Sequence, residues 1–226
     1  MTVDGLCEED KIARAEYLRY PSVACDPDPR SNRTLEIQHN LISCFNLSKN
    51  VPDKIRIQFE TAKNIYLYAW FVYRFYPVAE SQALVCLELA LSRRFIEEIP
   101  KEEYYPNSEK PTFRPLLRYA INGGYISNEG FDVWHRSAEM RARERFGKDK
   151  LQEMIDKNLS EIECNYDDAV VEDVDRDWDY LKILKKNLPD RRNHYAHGST
   201  MLYGQVLGTF ETVSEIINQI YELRKS

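Results

Sequence analysis

The stretch PDKIRIQFETAKNIYLYAWFVYRFYPVAESQALVCLELALSRRFIEEIP, residues 52–100, decides the fold. In its first half Ile55, Phe59, Ala62, Tyr66, Trp70 (or Ala69), Tyr73 and Tyr76 recur every three or four residues. That spacing puts them on one face of a helix with 3.6 residues per turn. Pro52 suits the first helical position, where a missing N–H costs no hydrogen bond. Pro77 is expected to divide this helix from a second one, whose stripe is Ala83, Leu84, Leu87, Leu91, Phe95 and Ile99 and whose end is marked by Pro100. Two amphipathic helices joined by so short a break are expected to form an antiparallel hairpin.

Working outward, helical spacing continues downstream. Helices are predicted over about 112–122, stopped by Gly123-Gly124, and from Ser127 through Trp134 and Met140 to about Phe146, with Gly147 as terminator. Further ones are expected near 148–163, near 174–186 and over about 204–224, the last with Val206, Phe210, Val213, Ile216 or Ile217, Ile220 and Leu223 on one face. Upstream, residues 1–50 read as an N-terminal extension, with a short helix at about 8–20 and a loop over 21–33 holding Pro21, Pro27 and Pro29. No repeat of 20 to 50 residues is visible, which argues against a solenoid. The predicted fold is all-α, a bundle of long helices over 51–226.

Composition agrees with this reading. The 226 residues are 43% hydrophobic and 12% aromatic, enough for a sizeable core, and hold only eight glycines and ten prolines. The formal net charge of −6 argues against a protein that coats nucleic acid non-specifically, while leaving room for a local basic site. Acid is concentrated over 161–179, where nine carboxylates face the single cation Arg176. Arg136, Arg141, Arg143, Arg145, Lys148 and Lys150 form a basic run instead, and each run is read as a solvated face or loop. The five cysteines, 7, 25, 44, 86 and 164, form no Cys-x-x-Cys pair, so neither a disulfide framework nor a zinc ribbon is expected. Cys86 reads as a small buried hydrophobe. With no signal peptide and no apolar stretch long enough to span a bilayer, the expectation is a cytoplasmic chain without membrane contact.

One segment carries chemistry: Asp190-Arg191-Arg192-Asn193-His194-Tyr195-Ala196-His197-Gly198-Ser199, opened by Pro189 and closed by Gly198. Asn193 and His197 are four residues apart, about 40° around an ideal helix, so the amide can orient the imidazole. His194 lies about 60° from His197 and Arg192 about 140° away. Arg192 must therefore curl back or serve a site shared with another element. A histidine near a helix C-terminus is favoured in its protonated form, which suits acid–base work near neutral pH.

The segment from Arg192 to Gly198 resembles the defining motif of the HEPN (higher eukaryotes and prokaryotes nucleotide-binding) domains: an arginine with a polar neighbour, a short spacer and a histidine followed by glycine. The upstream run Ala83-Leu84-Val85-Cys86-Leu87-Glu88-Leu89-Ala90-Leu91-Ser92-Arg93-Arg94 is similar to a common second-helix pattern in such domains. The resemblance implies a homodimer with the two motif segments facing each other across a two-fold axis. It also implies a metal-independent endoribonuclease in which a 2′-hydroxyl attacks the adjacent phosphate. By that resemblance the two copies of His197 move protons, Arg192 stabilises the phosphorane, and Asn193 fixes the ring or contacts the phosphate. RNA is the expected substrate, and a toxin or defence effector restrained by an antitoxin or regulatory protein is the expected setting.

Each residue also has a plainer reading. Arg192 can pair with a carboxylate preceding Asp190, Asn193 can be a surface amide, and His194 a structural or exposed histidine. Arg191 is read as solvated or as an attractor of substrate. Glu88 is either a buried carboxylate beside the cleft or the partner of Arg93 or Arg94. His194, Arg191 and Glu88 are thus accessory candidates beside Arg192, Asn193 and His197. No cofactor is expected, since the Gly-rich phosphate loops are missing and His194 with His197 lacks a third metal ligand at a telling spacing. No Gly-x-Ser-x-Gly elbow marks a serine hydrolase. The alternative to a ribonuclease is a non-catalytic HEPN module for dimerisation, nucleotide binding or partner-protein binding.

Overall fold

The computed structural model describes residues 26–105, 108–196 and 204–222. Among these residues there is no β-strand, and seven α-helices pack into a bundle: α1 (Leu35–Ser43), α2 (Asp53–Tyr68), α3 (Phe75–Phe95), α4 (Phe113–Asn122), α5 (Asp132–Asp156), α6 (Tyr180–Ala196) and α7 (Leu207–Tyr221). The all-α expectation holds. The helix expected over 8–20 lies outside the described residues.

Helices α2 and α3 form the hairpin. The rings of Tyr66 and Tyr76 stand 5.3 Å apart, Gln82 donates to Gln58 at 2.8 Å, and the Cys86 thiol reaches the Ile55 carbonyl. Partners climb one helix as they descend the other, so the pair is antiparallel. Its break, however, falls at residues 69–74, and Pro77 sits in the first turn of α3 rather than at the divide. The first N–H groups of a helix have no intrahelical acceptor, so proline is tolerated there.

Part of the N-terminal stretch closes this turn. The Asp28 backbone N–H donates to the Trp70 carbonyl, the Tyr73 N–H donates to the Asp28 carboxylate, and the Trp70 indole donates to the Arg33 carbonyl. Burial pushes the Asp28 carboxyl up, but hydrogen bonds from Arg30 and Tyr73 outweigh it and hold it below its ordinary value. Helix α1, started by Thr34 accepting from the Ile37 N–H, inserts Gln38 fully into the bundle. The Gln38 amide donates to the Tyr66 carbonyl and to the Tyr76 hydroxyl. Residues 28–43 therefore belong to the packed structure.

The core lies between the hairpin and α7. Phe210 packs edge-on against Tyr66 and beside Phe59, with centroids 5.8 and 5.9 Å away. Val206, Phe210, Val213, Ile216, Ile217 and Ile220 are all buried, as their spacing predicts. Full burial contributes roughly 1.5–3 kcal/mol for each large apolar side chain. Cys86 is buried among them, and desolvation pushes its thiol up to about 12.

Two expected helix boundaries are wrong. Helix α5 runs from Asp132 to Asp156 straight through Gly147, because a mid-helix glycine costs only about 1 kcal/mol and does not by itself stop a helix. Helix α6 likewise runs through Pro189, which does not open a separate segment. Pro189 removes one backbone bond, but buried Leu184 and Leu188 anchor the helix before it, and Arg191 and Tyr195 tie it down after it.

The basic and acidic runs meet at Arg141, Arg143 and Arg145. Arg145 binds Asp175 at 2.8 Å and Glu172 at 3.0 Å, and Arg143 faces Asp167. Arg141 donates to the carbonyls of Asp175 and Asp177 while its guanidinium lies over the Trp178 ring. The Arg145 bonds, with the Glu172 N–H, hold Asp175 below its ordinary pKa. The acidic stretch thus touches α5 chiefly through the buried Asp175, while its other eight carboxylates are exposed, as expected of a solvated loop.

Candidate functional site

Helix α6 carries Arg191, Arg192, Asn193, His194 and Tyr195 at its C-terminal end, beside α3 and the start of α7. The helix turns about 100° per residue, so Leu184, Leu188, Arg191 and Tyr195 share its inward face. That face meets Glu80 of α3, a carboxylate fully buried one turn before Ala83 and Leu84.

Glu80 is the hub of the site. Arg191 donates to its Oε1 at 3.0 Å and to the Thr209 hydroxyl at 2.8 Å; the hydroxyls of Thr209 and Tyr195 also donate to the carboxylate. One acid therefore joins α3, α6 and α7. A buried carboxylate is tolerable when a cation and several donors satisfy it, and Glu80 has both. Arg191, expected as a solvated cation, instead turns its guanidinium inward while half its side chain stays in water.

Arg192 points to a different part of α3. Its Nε and one terminal nitrogen donate to Glu88 Oε2, at 2.9 and 2.8 Å. The plain reading of Arg192 had it pairing with a carboxylate before Asp190, and Glu88 with Arg93 or Arg94; the structure pairs the two with each other. Both side chains keep about a quarter to a third of their surface, so the remaining N–H groups of the guanidinium fork are within reach of a ligand.

Asn193 and His194 are exposed, with the His194 ring 6.1 Å from that of Tyr195. The expected pairing of Asn193 with His197 lies outside the described residues, as do His197 and Gly198. Of the sequence candidates, then, Arg192 and Glu88 are brought together, Arg191 is drawn to a carboxylate that was not singled out, and Asn193 and His194 face solvent.

Comparison of the chain with family models, with curated proteins and with solved structures found no match.

Glu80, Thr209 and Tyr195 escaped the sequence reading. A signal for Glu80 existed: it is the one charged position in the run Ala79, Glu80, Ala83, Leu84, Leu87. Thr209 gave none, being an ordinary polar residue at the start of a helix. A group able to hold a cation stands elsewhere, where oxygens of Asp132, Glu211 and Glu215 lie within 4.8 Å of one another and Arg136 already pairs with Glu211. Desolvation, the main cause, together with the neighbouring carboxylates pushes Glu215 up to about 7 against the hydrogen bond from the Asp132 N–H.

Beside the site, α3 presents an apolar stripe to solvent. Phe75, Val78, Val85 and Ile96 are all exposed and fall within about 60–80° of one another around the helix. Leu89, half-buried, lies in the same stripe.

Proposed function

We propose that the chain is a metal-independent endoribonuclease of the HEPN type that acts as a homodimer. The observation that carries the reading is Arg192 in the Arg-x-x-x-x-His segment: a side chain about a third exposed, steadied by Glu88 and keeping donors for a phosphate. The exposed stripe of α3 beside it suits a second copy of the chain, which would bring a second motif segment to the same cleft.

In this mechanism one His197 takes the proton from a ribose 2′-hydroxyl as that oxygen attacks the adjacent phosphorus. The other His197 gives a proton to the departing 5′-oxygen as its bond to phosphorus breaks. The products are a 2′,3′-cyclic phosphate and a 5′-hydroxyl. Arg192 stabilises charge on the phosphorane, and Asn193 orients the ring or the phosphate. A toxin or defence effector held in check by a partner protein is the setting this activity fits.

A second reading has its own support. Arg191 and Arg192 both make ion pairs with α3, an arrangement that can serve a non-catalytic module in which the motif only fastens α6. The deciding experiment incubates the protein with mixed RNA in a metal chelator, beside His197→Ala and Arg192→Ala. Cleavage by the native chain alone, leaving cyclic phosphate ends, supports the enzyme. Equal cleavage by all three proteins, or by none, removes it.

A further inference from the structure

Helices α4 and α6 run side by side and leave a groove of about 490 Å³ between them. Its walls are Arg114 and Arg118 of α4 and Lys182, Lys185 and Lys186 of α6, with Asn122 at one end. No carboxylate lines it, although the chain as a whole carries a net charge of −6. Two contacts fix its ends: Arg114 pairs with Asp190 at 2.5 Å, and Lys185 donates to Asn122 at 2.8 Å. Among the described residues, Arg118, Lys182, Lys185 and Lys186 make no ion pair. Along α5 Arg136, Arg143, Arg145 and Lys150 each face a carboxylate; in the groove four of the five cations are gathered without one.

We propose that this groove binds the sugar–phosphate backbone of single-stranded nucleic acid without regard to sequence. Cations alternating along two adjacent helices suit a string of phosphates better than one compact anion. The lining has no aromatic residue for stacking a base, so recognition is of the backbone alone. It has no apolar residue either, which disfavours an acidic protein, whose docking needs a buried anchor, and a membrane, whose binding needs an inserted side chain. The concavity between two packed helices admits one strand more readily than a duplex.

The groove also leads toward the candidate site. Lys185 and Arg192 are seven residues apart, about 10 Å along the helix and within about 20° of one face. The inference does not depend on the ribonuclease reading, because a strand can be held here whether or not it is cut.

The test measures binding of fluorescent oligodeoxythymidylate, which has no 2′-hydroxyl to act as nucleophile, between 50 and 200 mM KCl. With four or five phosphates neutralised, log K is expected to fall against log[KCl] with a slope of about −3. The triple variant Arg118→Gln, Lys182→Gln, Lys186→Gln is expected to lose roughly a hundredfold in affinity at 0.1 M salt and about 2 from the slope. All three side chains lie at the surface, and an unchanged melting temperature verifies the fold. A matched variant, Arg143→Gln, Lys148→Gln, Lys157→Gln, changes the net charge equally and is expected to bind as the native chain does. Undiminished binding by the groove variant, equal losses in both triple variants, or groove-dependent binding only to phosphatidylserine vesicles overturns the proposal. Failure of the cleavage assay leaves this result untouched, so the two readings fall separately.

Discussion

Replacing Glu80 by alanine tests whether one buried carboxylate joins the three helices around the candidate site. The side chain is fully buried and accepts from Arg191, Tyr195 and Thr209. Each hydroxyl bond is worth roughly 1 kcal/mol net, and the Arg191 bond, charge-assisted but half in water, about the same after screening. Thr209 is itself buried, so its hydroxyl, partnerless on the Glu80 side, adds about 1 kcal/mol, and the vacated volume adds a comparable amount. Relief of the carboxylate's own desolvation offsets some of this, leaving a loss of about 3 kcal/mol. For a chain of this length that corresponds to a drop of roughly 6–12 °C in melting temperature. Glu80→Gln keeps the volume and one acceptor and is expected to lose about half as much. Urea unfolding followed by circular dichroism measures both. A Glu80→Ala loss below 1 kcal/mol, or a Glu80→Gln variant no more stable than Glu80→Ala, refutes the reasoning.

Arg192→Ala is expected to leave stability within about 1 kcal/mol, since its pair with Glu88 is partly exposed, yet to lower metal-free RNA cleavage by roughly 10²–10³-fold; thermal melts and product gels check the two halves. Gln38→Ala breaks two buried hydrogen bonds and is expected to cost about 2 kcal/mol in urea unfolding, a loss that a merely appended N-terminal segment would not show. Glu215 has its pKa raised to about 7 in the fold, so its contribution is favourable below the unfolded value near 4.5 and is lost as the pH rises toward 7. Because the group is only partly buried, the loss is expected to be about 1–2 kcal/mol, and Glu215→Gln is expected to flatten that part of the stability–pH curve. Gly147→Ala is expected to raise the melting temperature by 1–3 °C: a new Cβ stands 3.2 Å from the Tyr166 ring, but that ring is half-exposed and free to yield, while the helix gains roughly 0.5–1 kcal/mol.

The all-helical character was legible because the apolar stripes of α2, α3 and α7 follow the 3.6-residue period, and periodicity survives whatever partner a helix later meets. What misled was punctuation. Pro77, Gly147 and Pro189 are each a plausible break taken alone, but none breaks its helix. Pro77 falls where the N–H is spare, and the other two cost no more than packing on either side returns. The true break after Tyr68 is set by Asp28, about forty residues upstream, which no local window contains. Helix α1 was missed for a related reason, since only nine residues form it and one of its two buried members is a glutamine.

The candidate site divides in the same way. The residue types at its surface, Arg192, Asn193 and His194, were legible because chemistry is written in residue identity. Their partners were not, because partnership depends on how α3 lies against α6. Glu80 and Glu88 sit eight residues apart, about 80° around one helix, and Arg191 and Arg192 are adjacent, about 100° around another. Two helices packed side by side can satisfy both pairs at once, and the structure does so. That matching is what separates the two arginines by role. Arg191 binds the buried Glu80 and Thr209 through one terminal nitrogen and holds the helix end in place with half its side chain in water, whereas Arg192 lies on the partly exposed Glu88. Under the ribonuclease proposal Arg192 is the arginine assigned to the phosphate, and Arg191 with Glu80 fixes the helix end from which it reaches.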